Sequence, residues 1–207
     1  MINKKYIKNS YRHLCTILKH KYWVFRYCLK FGLIWRGIKH DFSKFSPTEF
    51  LESVKYYTGT SSPIDACKKE NGVSYSWMHH KGRNDHHYEY WIDNLDNGGE
   101  PIVMPYKAAV EMISDMLGAG RAYNGKSFSY KSELIWWKNK VKTDPCINLS
   151  TLYFVSYVFY NLYKKEVGLP HVEITKKSLS AIYKNSLLVS ESSYLDLIKM
   201  IYNVEDK

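Results

Sequence analysis

Between residues 4 and 30 the apolar positions recur with helical spacing. Ile7, Tyr11, Leu14, Leu18, Phe25 and Cys28 or Leu29 share one face, and Arg12, Lys19, Arg26 and Lys30 form a basic stripe. The pattern predicts a long amphipathic helix with that apolar face inward. His13, Ile17, His20, Val24 and Tyr27 make a second stripe beside it, which turns His20 inward but off the centre of the core. Gly32 punctuates the end of the helix. A short apolar segment, Leu33 to Ile38, then delivers His40 and Asp41. Ser46-Pro47-Thr48-Glu49 spells a new helix start, with Ser46 as N-cap, Pro47 at the first position and Glu49 closing a capping box.

Thr58 to Pro63 is a loop, followed by a short charged helix from Ile64 to Glu70 and a turn at Asn71-Gly72. From Trp77 to Trp91 a continuous helix would put Trp77, His80, Asn84, His87 and Trp91 on one face. Gly82 and Asn84 can break it, which frees His86 to point inward. Asn94 to Gly99 reads as a polar turn, and Met104-Pro105 opens a second strong helix through Gly118. The face carrying Ala108, Glu111, Met112, Asp115, Gly118, Ala119 and Ala122 is small or apolar, so it is expected to lie close against another helix. Trp136-Trp137, Leu149 to Leu162 and Leu179 to Ile201 read as packing helices, broken at Asp144-Pro145 and Gly168-Leu169-Pro170. The expected fold class is all-α: a helical bundle over residues 1–130 with a helical C-terminal extension, 131–207, packed on it or merged with it in one domain. The aromatic C-terminal helices offer a face for a homodimer.

Composition narrows this picture. The chain has 207 residues, 45% of them hydrophobic and 24% charged, which excludes wholesale disorder and allows a sizeable core. A net charge of +10, spread along the chain, points to an anionic partner such as a nucleotide, a nucleic acid or a membrane surface. Cys15, Cys28, Cys67 and Cys146 show no CxxC spacing, so they read as reduced thiols in a cytoplasmic protein. Met1 to Tyr11 has no apolar leader segment. The run Leu149 to Leu162 is too short, and too rich in Tyr and Ser, for a membrane span.

The candidate chemistry centres on His40-Asp41. An imidazole and a carboxylate at consecutive positions suit a divalent metal, and other segments supply partners: His20 upstream, then His79, His80, His86 and His87, then Asp115. A carboxylate on the small-residue face of a helix is costly to bury without a partner or a metal, which singles out Asp115. Glu111, one turn earlier, reads as a partner behind the ligands or as a proton donor. Among the downstream histidines, His80 and His87 are the first choice and His86 the reserve. Gly118 to Lys126 is glycine-rich without the spacing of a P-loop or dinucleotide fingerprint. It reads either as a flexible loop in which Arg121, Tyr123, Asn124 and Lys126 bind phosphate and base, or as a helix C-terminus with basic residues at its dipole.

The order His20, His40-Asp41, a histidine group, then Asp115 resembles the H…HD…D signature of the HD-domain metal-dependent phosphohydrolases. More narrowly, H-D-x-S-K-F-S-x-x-E-F, the HH…R-N-x-HH-x-E-Y-W block and the E-M-x-x-D…Y-N-G-K block resemble a family of bacterial and phage proteins of unknown function, over about Tyr11 to Lys126. The superfamily resemblance implies an HD-like helical bundle in which His20, His40, Asp41 and Asp115 hold one divalent ion (Mn, Fe, Zn, Co or Mg). Asp41 would bridge to a second ion held by two of His80, His86 and His87. It further implies metal-assisted hydrolysis of a nucleotide, cyclic nucleotide or nucleotide second messenger, with Lys44, Arg83, Asn84, Arg121 or Lys126 meeting the substrate. Two alternatives remain beside it: a di-iron oxygenase of the same superfamily, and a non-enzymatic protein that sequesters nucleotides or nucleic acid.

Overall fold

Twenty-eight residues without proline or glycine form the first helix, α1 (Lys4–Phe31). Gly32 ends it in the left-handed conformation, φ 81°, which a residue without a Cβ adopts freely. In the computed structural model, which describes residues 4–92, 99–143 and 146–204, nine further helices follow. They are α2 (Ile34–Lys39), α3 (Pro47–Tyr56), α4 (Pro63–Asn71), α5 (Tyr75–Lys81), α6 (Tyr106–Asn124), α7 (Tyr130–Thr143), α8 (Leu149–Glu166), α9 (Lys176–Ser186) and α10 (Glu191–Tyr202). The protein is all-α; among the described residues the one extended pairing is an isolated bridge between Ile92 and Pro101. No helix there is long and apolar enough to cross a membrane. The break at Asp144-Pro145, and all but Gly99 of the turn expected from Asn94, lie outside the described residues.

The two stripes of α1 exchange the expected roles. His13, Ile17, His20, Val24, Tyr27, Cys28 and Phe31 are buried, whereas Ile7, Tyr11, Leu18 and Leu29 are exposed. Hydropathy could not rank two adjacent faces. Close approach of α6 decides, because Gly118 packs where a Cβ would collide with the Val24 side chain. Expected to end at Gly118, α6 runs on to Asn124. Gly118 and Gly120 serve close packing rather than helix breaking, and Gly125, φ 55°, follows the last helical residue. The expected helix from Leu179 to Ile201 is two helices, because Ser190 accepts from the Ser193 amide and starts α10.

One buried cluster joins α1, α6, α7, α8, α9 and α10 through residues such as Val24, Phe31, Ile113, Trp137, Phe159, Leu179 and Ile201. Its polar atoms are accounted for where they occur: the Trp137 indole N–H donates to Ser156 Oγ at 2.8 Å. A smaller layer, α3 to α5, packs over the other flank of α1. The cluster of histidines and carboxylates lies between this layer and the α1–α6 pair.

Candidate metal centre

Four elements aim side chains at one point. α1 supplies His20, the end of α2 supplies His40, and α6 supplies Asp115. Asp41 follows His40 directly and is the one non-glycine residue at positive φ among those described, at φ 55° and ψ 29°. Aspartate tolerates this left-handed backbone better than most residues, at a cost of about 1–2 kcal/mol. The reversal lets consecutive side chains face the same interior, which neither helix nor strand allows. Local strain of this kind concentrates at functional sites. Histidines enter from α5 (His80) and from the turn after it (His86 and His87), because α5 stops at Gly82.

His20 Nε2 lies 3.0 Å from Asp115 Oδ1 and 3.3 Å from Asp41 Oδ2. His40 Nε2 lies 3.2 Å from each of the same two oxygens, and the two imidazole nitrogens are 3.3 Å apart. For metal bonds of about 2.1 Å, adjacent donors sit about 3.0 Å apart in an octahedron and about 3.4 Å in a tetrahedron. These four atoms therefore have the spacing of a coordination shell. The other Asp41 oxygen, Oδ1, is 3.4 Å from both His80 Nε2 and His86 Nε2. With His87 these make a second group of metal-ligand spacing. Asp41 Oδ1, His86 Nε2 and His87 Nε2 are buried and complete no hydrogen bond, and Asp41 Oδ2 is likewise buried with a lysine ion pair as its compensation. Buried polar atoms are normally satisfied, so three unsatisfied ligand atoms in one group fit a metal ion in a way that a plain polar core does not.

The far sides of these ligands are held by carboxylates, the usual arrangement behind metal-bound histidine. Glu111 accepts from His40 Nδ1 at 2.9 Å and lies 3.3 Å from His86 Nδ1. That contact accounts for a third metal-spaced group, His40, His86 and Glu111. Arg36 in turn ties Glu111 to Asp85, donating from Nε to the first and from both terminal nitrogens to the second. Glu49 accepts from His80 Nδ1 at 2.8 Å and from His79 Nδ1 at 2.7 Å. Ser46 caps α3 as expected, accepting from the Glu49 amide at 3.4 Å, but the Glu49 carboxylate does not return to close the box. Two imidazoles hold it instead.

The charges follow from this packing. Burial alone would raise Asp41 and Asp115, but their neighbours reverse the sign: His40, Lys44 and His80 around Asp41, and hydrogen bonds from His20 and His40 to Asp115. Both carboxyls are held well below their ordinary range. Glu111 is likewise brought down to about 2, against its burial, by His40 and His86. His87 is pushed well below its ordinary value by burial and by its neighbours His86 and His80. It is therefore neutral, the form a metal ligand requires.

The remaining sequence candidates separate into groups. Lys44 Nζ reaches Asp41 Oδ2 at 2.5 Å and, with Tyr123, borders a cavity of about 210 Å³ that opens beside both donor groups. Asn84 donates to Ser43 Oγ at 2.8 Å and to the His80 carbonyl at 2.7 Å, so it braces His80. Arg83 lies at a separate cavity behind His40 and His86. Arg121 is turned away: six residues past Asp115 on a continuous helix, it stacks on Phe128 at 4.0 Å and donates to Tyr27 Oη at 3.3 Å. Asn124 borders another cavity, and Lys126 is exposed in the 3₁₀ turn that follows α6. Sequence reading assigned nothing to His13, Arg36 and Asp85, and took Glu49 for a cap. No local spacing marks the last three, because their partners are 30 to 75 positions distant in the chain. His13 borders the 210 Å³ cavity with an unpartnered Nδ1, and burial beside Lys44 lowers it to about 4.

Residues 9–158 match a family of unknown function, DUF5662. The chain belongs to that family. No curated protein and no solved structure matches it. The segment shared with DUF5662 takes in every residue of both donor groups and ends inside α8. It leaves α9 and α10 outside.

Proposed function

We propose that this DUF5662 protein is a metal-dependent phosphohydrolase with an HD-type centre, acting on the phosphate of a nucleotide, cyclic nucleotide or nucleotide second messenger. The observation that carries the reading is the division of Asp41: Oδ2 faces His20 and His40, which share Asp115, while Oδ1 faces His80 and His86, which group with His87. One carboxylate shared by two donor groups suits one or two divalent ions. When bound, such ions supply Lewis acidity toward phosphoryl oxygens and acidify water near neutral pH.

The chain's own residues supply the rest. Glu111 and Glu49 fix the orientation of His40, His86 and His80, so that their Nε2 atoms face inward. Burial opposes the charge on Lys44, but the Asp41 carboxylate overrides it and holds the ammonium above its ordinary range. It stands as a permanent cation beside the 210 Å³ chamber, placed to meet phosphate charge. Glu111 does not serve as the proton donor: its oxygens are taken by His40, His86 and Arg36. The net charge of +10 favours encounter with anionic substrates.

The three histidines of the second group also favour a di-iron oxygenase, and metal content separates the two. Protein purified without chelator or metal-affinity resin is analysed for metal per chain, beside Asp41→Ala, and assayed for phosphate release from nucleoside mono- and diphosphates and for ring opening of cyclic phosphates to monophosphates. Near-stoichiometric metal, lost together with hydrolysis in a folded Asp41→Ala, is the expected result. Two irons with oxygen consumption would replace hydrolysis by oxygenation. No metal bound even after adding Mn²⁺ or Mg²⁺ would overturn both.

A further inference from the structure

The cavity that Asn124 borders, of about 450 Å³, opens between α6 and α7, sharing Ser62, Ala119 and Tyr123 with the chamber beside the donor groups. Its volume falls in the range of small-molecule sites, about 300–1,000 Å³. Glu133, in the first turn of α7, lines it while only 5% exposed. Among the described residues no hydrogen bond or ion pair reaches its carboxyl, and burial alone pushes Glu133 up to about 7. Such a group lowers stability unless something binds to it. The fold nonetheless makes room for it: α6 carries a glycine at 120, where a Cβ would collide with the Glu133 carboxyl. Three residues on, Trp136 lines the same cavity with its side chain half-exposed. Asp65 also lines it, so the cavity presents acids in a chain of net charge +10. That excludes phosphate as its occupant and favours a ligand with N–H donors.

We propose that this cavity is a nucleobase site, in which the Glu133 carboxylate accepts N–H bonds from the base edge and the Trp136 indole carries the ring. Guanine fits best, because N1–H and N2–H₂ lie side by side and offer one donor to each oxygen. Gly120 is about 7.5 Å along the α6 axis from Asp115 at 1.5 Å per residue. A base at Glu133 can therefore belong to the same small molecule whose phosphate faces Lys44 and Asp41. The choice of ligand rests on the nucleotide reading above, but binding of the base does not require the metal centre.

Calorimetric titration with guanosine, adenosine and cytidine tests this, since nucleosides lack the phosphate. Guanosine is expected to bind, Glu133→Gln to weaken it at least tenfold, and Trp136→Ala to weaken it severalfold. Asp41→Asn, which dismantles the donor groups, should leave it within twofold. Binding of adenosine or cytidine with the same Glu133 dependence would support the site with another base. If none of the three binds, or if Glu133→Gln binds as well as the parent, the proposal is overturned. A protein that takes up no metal yet binds guanosine through Glu133 would remove the hydrolase and keep this site. An active phosphohydrolase indifferent to Glu133 would do the reverse.

Discussion

Glu111 and Glu133 are both buried acids, and their surroundings give them opposite behaviour. Glu111 receives histidine and arginine hydrogen bonds and stays ionised at about 2, whereas Glu133 has only burial and rises to about 7. Glu111→Gln keeps the shape but weakens the hold on His40 and His86. Loss of such a supporting carboxylate typically costs 10–100-fold in metal affinity. We expect that loss in a chelator competition, with the helical circular dichroism unchanged. Glu133 carries a pH signature. Its folded value lies above the unfolded 4.5, so the native state holds the proton more tightly. Its contribution is full below pH 4.5 and is lost as the pH rises through about 7. Glu133→Gln has no such loss. In urea titrations at pH 5 and pH 8 the variant should gain on the parent by about 2.5 kcal/mol across that interval. Equal stability differences at the two pH values would mean that the carboxyl is not buried without partners. An acid that costs stability and is removed with gain is a common mark of a functional site.

At the scale of elements, the contact between α1 and α6 sets the site. It brings His20 against Asp115, and Gly118 makes it possible by presenting bare backbone to Val24. Gly118→Ala would normally favour a helix by up to about 1 kcal/mol. Here the added methyl collides with Val24, and overpacking of this kind costs about 1–3 kcal/mol. The net effect should be a lower melting temperature together with weaker metal retention, because the collision pushes the two ligands apart. Val24→Ala introduced beside it should restore part of both, since the two positions touch and couple. A Gly118→Ala protein as stable as the parent would show that the helices are not held at this distance.

For the whole molecule, the donor groups link four segments that are distant in the chain: α1, the α2–α3 connection, the α5 region and α6. A ligand that binds only this assembled state stabilises the fold by mass action, about 2.7 kcal/mol at a hundred times its dissociation constant. For a chain of this length that corresponds to about 5–10 °C in melting temperature. Thermal melts with Mn²⁺ and with chelator should differ by that order for the parent and coincide for Asp41→Asn. Asparagine keeps the left-handed backbone tolerable while removing the shared charge, so that variant should still fold. A metal-dependent shift that survives Asp41→Asn would remove Asp41 from the centre.

The sequence by itself determined the local matters. Helix-forming spacing and the absence of breakers fixed α1. Gly32 and Ser46-Pro47 marked a stop and a start, and His20, His40, Asp41 and Asp115 stood out because each is a metal-ligand type in a helical or capped context. These depend on backbone sterics, capping and side-chain chemistry within a few residues. Tertiary structure decided which stripe of α1 is buried, because two adjacent faces of similar hydropathy differ only in what packs on them. It also decided that Gly118 and Gly120 serve close approach. Neither glycine's neighbour, Val24 or Glu133, is near it in the chain. The same holds for Glu49 and Glu111 behind the histidines and for Glu133 facing a cavity. A carboxylate's role is set by the groups that surround it in space, and sequence distance carries no record of them.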